Sequence, residues 1–462
     1  MVRIFRHYLP AKALLVALLD VVVLVIALQL CLVFGLPESS QAAGGMLGPV
    51  PALVLGFGML VIMHCTGLYR ADLWETYRLV HVALVTTLLC LAGAFYLSAR
   101  LPTLSILDPN GPALMAAAIA TGVMLTRYAI RKWDATTTFK PRILVLGTGS
   151  RVNEFAELVQ RNRNMVIVGY VPFPGTDVHH VPASLLQPLG QDESLLALVD
   201  RLEVDHIVLG VRDRRGKLPL AELVECKLRG IRVTELSAAF EREFRKVSLE
   251  SISATWIMLN EGFLQTTLRT GLKRLFDLVV SSVLLVFAAP IIAVAALAIY
   301  LESGGPILYR QERVGQGGRT FWMYKLRSMR TDAERDGKPR WAAAKDDRTT
   351  RVGRILRKIR VDELPQIINV FKGEMSFVGP RPERPYFVNE LTRQLPYYAL
   401  RHNVKPGITG WAQICFPYGA SLEETAKKLQ YDLYYVKNHA LFLDFVILLA
   451  TVGVVLTAKG AR

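Results

Sequence analysis

Four apolar runs within the first 130 residues constrain this chain more than any other feature. They cover residues 13–34, 48–69, 79–99 and 112–130. Each is near the roughly 20 residues an α-helix needs to cross hydrocarbon. There every backbone polar group must be satisfied inside the segment. Four transmembrane helices are therefore expected. The first run is too long, and lacks the cleavage site, for a simple signal peptide. A hydrophobic content of 52% and a mean hydropathy of +0.31 agree with membrane segments.

Charge orients the block. Arg3, Arg6 and Lys12 precede the first run, and the loop 35–47 carries no Lys or Arg. Arg70 and Arg78 flank the second loop and Arg100 alone marks the third, while Arg127, Arg131, Lys132, Lys140 and Arg142 close the block. This alternation predicts a cytoplasmic N-terminus and, after four crossings, a return to the cytoplasm. Asp20 lies inside the first run. An ionisable group there is a functional candidate, or else one half of a helix–helix hydrogen bond or a residue near the membrane surface.

The net charge of +16 suits anionic lipid heads and phosphorylated substrates. No zinc-finger spacing or glycine-aromatic RNA motif accompanies it, so no nucleic-acid partner is expected. Cys31, Cys65, Cys90, Cys226 and Cys415 are scattered without a CxxC pair, which indicates neither a metal cage nor a disulfide framework.

Residues 136–250 alternate between strand and helix patterns. Strands are expected at 142–146, 165–171, 206–210 and 231–234, with helices at 152–161, 194–201 and 219–229. That order predicts a parallel α/β domain of Rossmann type. Its first turn, Gly147-Thr148-Gly149, could present backbone N–H groups to a phosphate. The pattern ends in Asn153, however, so the third glycine of the dinucleotide fingerprint is missing. Ligand binding and a purely structural turn both stay open.

After a linker at 251–271, a last domain fills 272–462. It opens with Lys273, Arg274 and another apolar run, 275–300. A fifth crossing would put Arg310, Arg313, Arg319, Lys325 and Arg327 outside the cell, against the positive-inside bias. Pro290 removes a backbone donor and bends a helix. Its two arms, about 22 and 17 Å long at roughly 1.5 Å per residue, are each too short to span. A re-entrant helix over 273–301, leaving on the face it entered, fits both charge and proline. The short apolar run 441–457, holding Asp444, is expected on the membrane face or in the core.

Several motifs follow. On an extended chain Lys325 and Arg327 point to one side, where two cations can hold a diphosphate. A basic stretch, Arg354, Arg357, Lys358 and Arg360, is interleaved with Ile355, Leu356 and Ile359, which suits an interfacial helix. Asp362-Glu363-Leu364-Pro365 comes next. Proline in a first turn places Asp362 near the start of a helix reaching about Val370, where the dipole favours an ionised carboxylate able to attack phosphorus. Its neighbour could bind a divalent ion. Gly379-Pro380-Arg381-Pro382 presents a cation from a stiff turn. The run 405–413 reads as a shaped loop and 431–438 as an aromatic-rich helix carrying Asp432.

In order, KRLFDLVVSSVLLV, GPILYRQERVG, MYKLRSM, DELPQIINVFKGEMSFVGPRP, KPGITGWAQ and YDLYYVKN resemble the bacterial sugar transferases, or polyprenyl-phosphate hexose-1-phosphate transferases, over about residues 272–459. The whole layout is similar to the large initiating transferases of exopolysaccharide or O-antigen assembly. The resemblance implies transfer of a sugar phosphate from a UDP-sugar to undecaprenyl phosphate with Mg²⁺, releasing UMP, at the bacterial inner membrane with the catalytic domain facing the cytoplasm. It implies that Asp362 is the covalent nucleophile and Glu363 its partner, both near the metal. Arg357, Arg381 and Asp432 match further active-site positions, Lys325 and Arg327 fall in the motif before them as candidate substrate-binding residues, and Pro290 falls at the membrane break. There the family's serine is replaced by Ala289. A membrane lipid environment is implied, and a homodimer stays open. Two other readings are a membrane-bound nucleotide-sugar dehydratase or epimerase and a non-enzymatic assembly regulator. The first lacks both the third glycine and a Tyr-x-x-x-Lys after Gly149; the intact acidic and basic positions argue against the second.

Overall fold

A computed structural model describes residues 2–4, 7–9, 11–34, 58, 61–63, 86, 111–134, 140–162, 165–172, 180–189, 194–211, 218–263, 266–331, 348–416 and 421–456. The chain forms two compact units, one of residues 133–259 and one combining residues 2–132 with 260–462.

In the first unit β3 (Arg142–Leu146), β4 (Val166–Val171), β5 (His206–Leu209) and β6 (Arg232–Glu235) form a parallel sheet in the order β4-β3-β5-β6. Helices Ser150–Asn162, Leu195–Arg201 and Leu220–Leu228 connect the strands. Both sheet faces are covered, which is why the central strands are apolar throughout rather than alternating. One face packs Val145 and Val208 on Phe155 and Phe240; the other packs Leu144 and Ile207 on Leu198 and Leu223. Gly147 sits at φ +127, with its Cα hydrogens facing the backbone of Gly210. A side chain there would be strained and crowded, so this glycine is explained by the turn itself.

The second unit begins with the antiparallel pair β1 (Val2–Ile4) and β2 (His7–Leu9). Helices Ala11–Phe34 and Gly111–Asp134 follow, carrying the first and fourth apolar runs. The second and third runs lie almost entirely outside the described residues. Arg127 grips Asp20 through two hydrogen bonds of 2.8 Å, and both side chains are fully buried. Of the sequence expectations for Asp20, the helix–helix contact is what forms.

The 37-residue helix Thr267–Ser303 is about 55 Å long at roughly 1.5 Å per residue. It is continuous through Pro290, so the helix is not broken there. Among the described residues it is the one helix long and apolar enough to cross a membrane. Asp277, Ser281, Ala288, Ala295 and Ile299 are buried along one stripe, whereas Val279, Val286, Phe287, Val294 and Leu301 are exposed. Beyond the helix, β7 (Leu308–Val314) pairs antiparallel with β8 (Thr320–Leu326) across the glycine turn. β9 (Ser376–Val378) and β10 (Gly407–Thr409) form a short parallel pair. Helices Leu422–Asn438 and Leu441–Leu456 complete the unit. The last packs into the core, and Asp444 is buried against Lys273 (2.7 Å) and the Tyr435 hydroxyl (2.7 Å).

Candidate active site

Thr350 caps the basic helix Arg351–Lys358 by accepting the Gly353 N–H at 2.9 Å. Leu356 enters the core beside Leu326 and Ile299, while Ile355 and Ile359 remain exposed among the cations. The apolar face expected here is thus divided between core and surface. Arg360 then adopts a left-handed backbone (φ 61), which ends the helix and starts the 3-10 turn Val361–Gln366. Pro365 lies inside this turn, just ahead of the α-helix, and its fixed φ suits the helical backbone there. The turn runs into helix Ile367–Lys372. Asn369 locks this assembly to β8, accepting from Tyr324 N (3.1 Å) and donating to Trp322 O (2.7 Å).

Asp362 and Glu363 are both buried, but successive residues of a 3-10 turn diverge by about 120°. The two carboxylates consequently meet different neighbours. Glu363 Oε1 accepts from Lys325 Nζ at 3.0 Å and Arg381 Nη2 at 2.6 Å, and Arg360 Nη1 stands 3.9 Å from Oε2. Burial pushes the Glu363 carboxyl up, but Arg381 and Lys325 overcome this and hold it well below the ordinary carboxylate range. Asp362 accepts no hydrogen bond from any described residue. Burial pushes its carboxyl above the usual range, Lys325 opposes this, Glu363 reinforces it, and Arg357 and Arg381 oppose it again. The helix start and Arg357 favour ionisation, but desolvation is the larger effect.

Arg381 is fixed from behind. Gly407 N donates to Pro380 O (3.0 Å), Gly379 N to Thr409 O (2.9 Å), Val314 N to Glu383 O (2.9 Å) and Arg313 Nη1 to Pro382 O (2.9 Å). Arg401 Nη2 donates to Arg381 O at 2.8 Å, and the same guanidinium pairs with Asp432 at 2.9 Å. A Cβ on Gly379 would overlap the Lys405 carbonyl, so glycine is required by close approach of two strands.

The site therefore offers one uncommitted buried carboxylate beside a second that gathers cations. Residues 268–458 match the family model for bacterial sugar transferases. A UDP-N-acetylgalactosamine-undecaprenyl-phosphate N-acetylgalactosaminephosphotransferase of Aeromonas hydrophila is 39% identical over 240 residues, 52% of this chain and 56% of that protein. A UDP-glucose:undecaprenyl-phosphate glucose-1-phosphate transferase of Xanthomonas campestris pv. campestris is 33% identical over 330 residues, 69% of this chain and 67% of that protein. A putative undecaprenyl-phosphate N-acetylgalactosaminyl 1-phosphate transferase of Bacillus subtilis is 43% identical over 167 residues, covering 36% of this chain and 88% of that protein. The chain belongs to the bacterial sugar transferase family.

Asp362, Glu363, Lys325 and Arg381 are brought together, with Arg357 near enough for its charge to act on Asp362. Two other expected residues are placed elsewhere. Arg327 Nη2 caps the end of the long helix through Ser303 O (3.1 Å), Ser303 Oγ (2.6 Å) and Gly304 O (2.7 Å). Asp432 is 2% exposed and serves Arg401. Arg401, Arg313 and Glu383 stand in or beside the quoted motifs, but their roles depend on partners distant in the chain and show no local signal.

Among the described residues no group of three or more Asp, Glu, His or Cys side chains is able to hold a metal. Mg²⁺ commonly takes one or two carboxylates and fills its shell with water and substrate phosphates. The free Asp362 oxygens and Glu363 Oε2 fit that kind of site.

Proposed function

We propose that this protein transfers a sugar 1-phosphate from a UDP-sugar to undecaprenyl phosphate, releasing UMP, and so initiates exopolysaccharide or O-antigen assembly. The observation that carries the reading is the buried Asp362 carboxylate, free of hydrogen bonds beside a cation-saturated Glu363. An Asp362 oxygen attacks the sugar-bearing phosphorus, and the bond from that phosphorus to the UMP oxygen breaks. UMP departs with the electron pair. An oxygen of the lipid phosphate then attacks the same phosphorus, and the acyl-phosphate bond breaks to restore Asp362. Lys325 and Arg381, preorganised by Glu363, stabilise charge on the phosphoryl oxygens. Asp362 and Glu363 would hold Mg²⁺, which when bound supplies further charge neutralisation. Arg357 guides the anionic donor, Arg327 fixes the helix end beneath β8, and Asp432 positions Arg381 through Arg401.

The setting is the inner membrane. The N-terminal runs form four transmembrane helices and residues 136–250 a Rossmann-like domain, and the positive charge after the long helix keeps the catalytic domain in the cytoplasm. The exposed apolar stripe of the long helix, next to the exposed Ile355 and Ile359, supports lipid contact. The relatives' names give glucose and N-acetylgalactosamine as the first donors to try. The test is UMP release by purified protein in detergent with undecaprenyl phosphate and a panel of UDP-sugars. Lipid-dependent release with one donor, abolished in Asp362→Asn and by EDTA and restored by Mg²⁺, is expected. Full activity in Asp362→Asn would remove the nucleophile from the proposal, and release indifferent to EDTA would remove the metal.

A further inference from the structure

A second cationic site lies at the foot of the long helix, built from residues the transfer reaction does not use. Lys273, Arg274, Lys405 and Arg269 line a cavity of about 60 Å³ together with Asp277 and Asp444. That is room for about four water positions at roughly 15 Å³ each, the scale of one phosphoryl group. The charges do not balance within it. Lys273 takes up the carboxylates, standing 2.7 Å from Asp444 and 3.6 Å from Asp277. Arg274 donates to the carbonyls of Val370 (2.5 Å) and Phe371 (2.6 Å). Lys405 has no hydrogen-bonded or ion-pair partner among the described residues.

Lys405 and Arg274 converge above Gly373. A Cβ on that glycine would lie 3.5 Å from Lys405 Nζ and 3.7 Å from the Arg274 guanidinium carbon. The two cations thus stand close together beside Gly373, and both line the cavity, where an anion can accept from each. Burial, followed by the nearby charge of Arg274, lowers the Lys405 ammonium, as an uncompensated cation pair should. The apolar stretch of the long helix begins one residue after Arg274, at Leu275. The cavity therefore lies beside the start of that stretch, where the proposed membrane placement puts lipid headgroups.

We propose that this cavity binds a phosphate group between Lys405 and Arg274, from an anionic phospholipid headgroup or from free phosphate. The site is separate from Asp362 and does not depend on the transfer chemistry. The test uses the full chain in neutral detergent and reads thermal unfolding, in wild type, Lys405→Gln and Lys405→Arg. One arm titrates inorganic phosphate against chloride at matched ionic strength. The other titrates phosphatidylglycerol against phosphatidylcholine in mixed micelles. Saturable stabilisation is expected, with half-saturation roughly tenfold weaker in Lys405→Gln, the order of one lost charge-assisted hydrogen bond, and recovered in Lys405→Arg. A response to phosphatidylglycerol alone assigns a lipid headgroup; a response to phosphate as well assigns the free anion. No saturable response in wild type, or equal responses in wild type and Lys405→Gln, overturns the proposal.

Discussion

Asp432 offers the sharpest separation between touching substrate and holding the machinery. It is paired at 2.9 Å with Arg401, and both side chains are about 3% exposed. Arg401 also donates to Tyr398 Oη at 2.7 Å and to the Arg381 carbonyl at 2.8 Å. Asp432→Ala therefore strands a buried guanidinium, which costs about 3–5 kcal/mol. For a domain of this size each kcal/mol lowers Tm by about 2–4 °C, so a fall of about 6–20 °C is expected. The double variant Asp432→Leu/Arg401→Met removes both charges, and replacing a buried pair in this way is often neutral for stability. It still deprives the Arg381 carbonyl of its donor. Thermal unfolding should recover in the double variant, while kcat for UMP release stays roughly tenfold low, the equivalent of about 1.4 kcal/mol, with KM for the UDP-sugar little changed. A small Tm change in Asp432→Ala, joined to a large rise in donor KM, would refute the positioning role and return Asp432 to the substrate.

Three other outcomes follow from the geometry. Lys325 opposes the rise of the Asp362 carboxyl, so Lys325→Gln should push that carboxyl higher still. The acid limb of the pH profile for single-turnover UMP release should then move to higher pH, and an unmoved or lower limb would contradict Asp362 as the ionised nucleophile. A Cβ on Gly353 would overlap the Ser328 backbone, so Gly353→Ala should cost about 1–3 kcal/mol by overpacking, read as a lower Tm. Asp20→Ala takes the carboxylate from the buried Arg127, so its Tm should fall, and replacing both with Leu should recover it; equal loss in single and double variants would mean the ion pair is not what holds the two helices.

Local pattern made much of this chain legible. The strand and helix runs of residues 142–235 fall within about two residues of their expected bounds, because alternating apolar runs separated by glycine turns are a short-range signal. The Asp362-Glu363 pair could be found as chemistry, but not divided into roles. That division depends on Lys325, 38 residues before Glu363, and Arg381, 18 residues after it. The same limit explains the placement of Arg327. The period-two rule puts it on the Lys325 face, but β8 ends at Leu326, and the chain beyond follows the orphan carbonyls of Ser303 and Gly304 instead.

In the proposed mechanism the network around Arg381 gives the two carboxylates different tasks. A nucleophile held by two cations would be stabilised before reaction and weakened as an attacker; a cation pair without an anion would repel itself in a buried site. Glu363 resolves both constraints. It binds Lys325 and Arg381 into one rigid donor set and leaves the Asp362 oxygens free a residue away. The arrangement depends on Arg381 arriving from a turn whose own carbonyls are committed to Arg313, Arg401 and Gly407. Two prolines stiffen that turn and a buried ion pair supports it, so the cations need little reorganisation when charge develops on a transferring phosphoryl group.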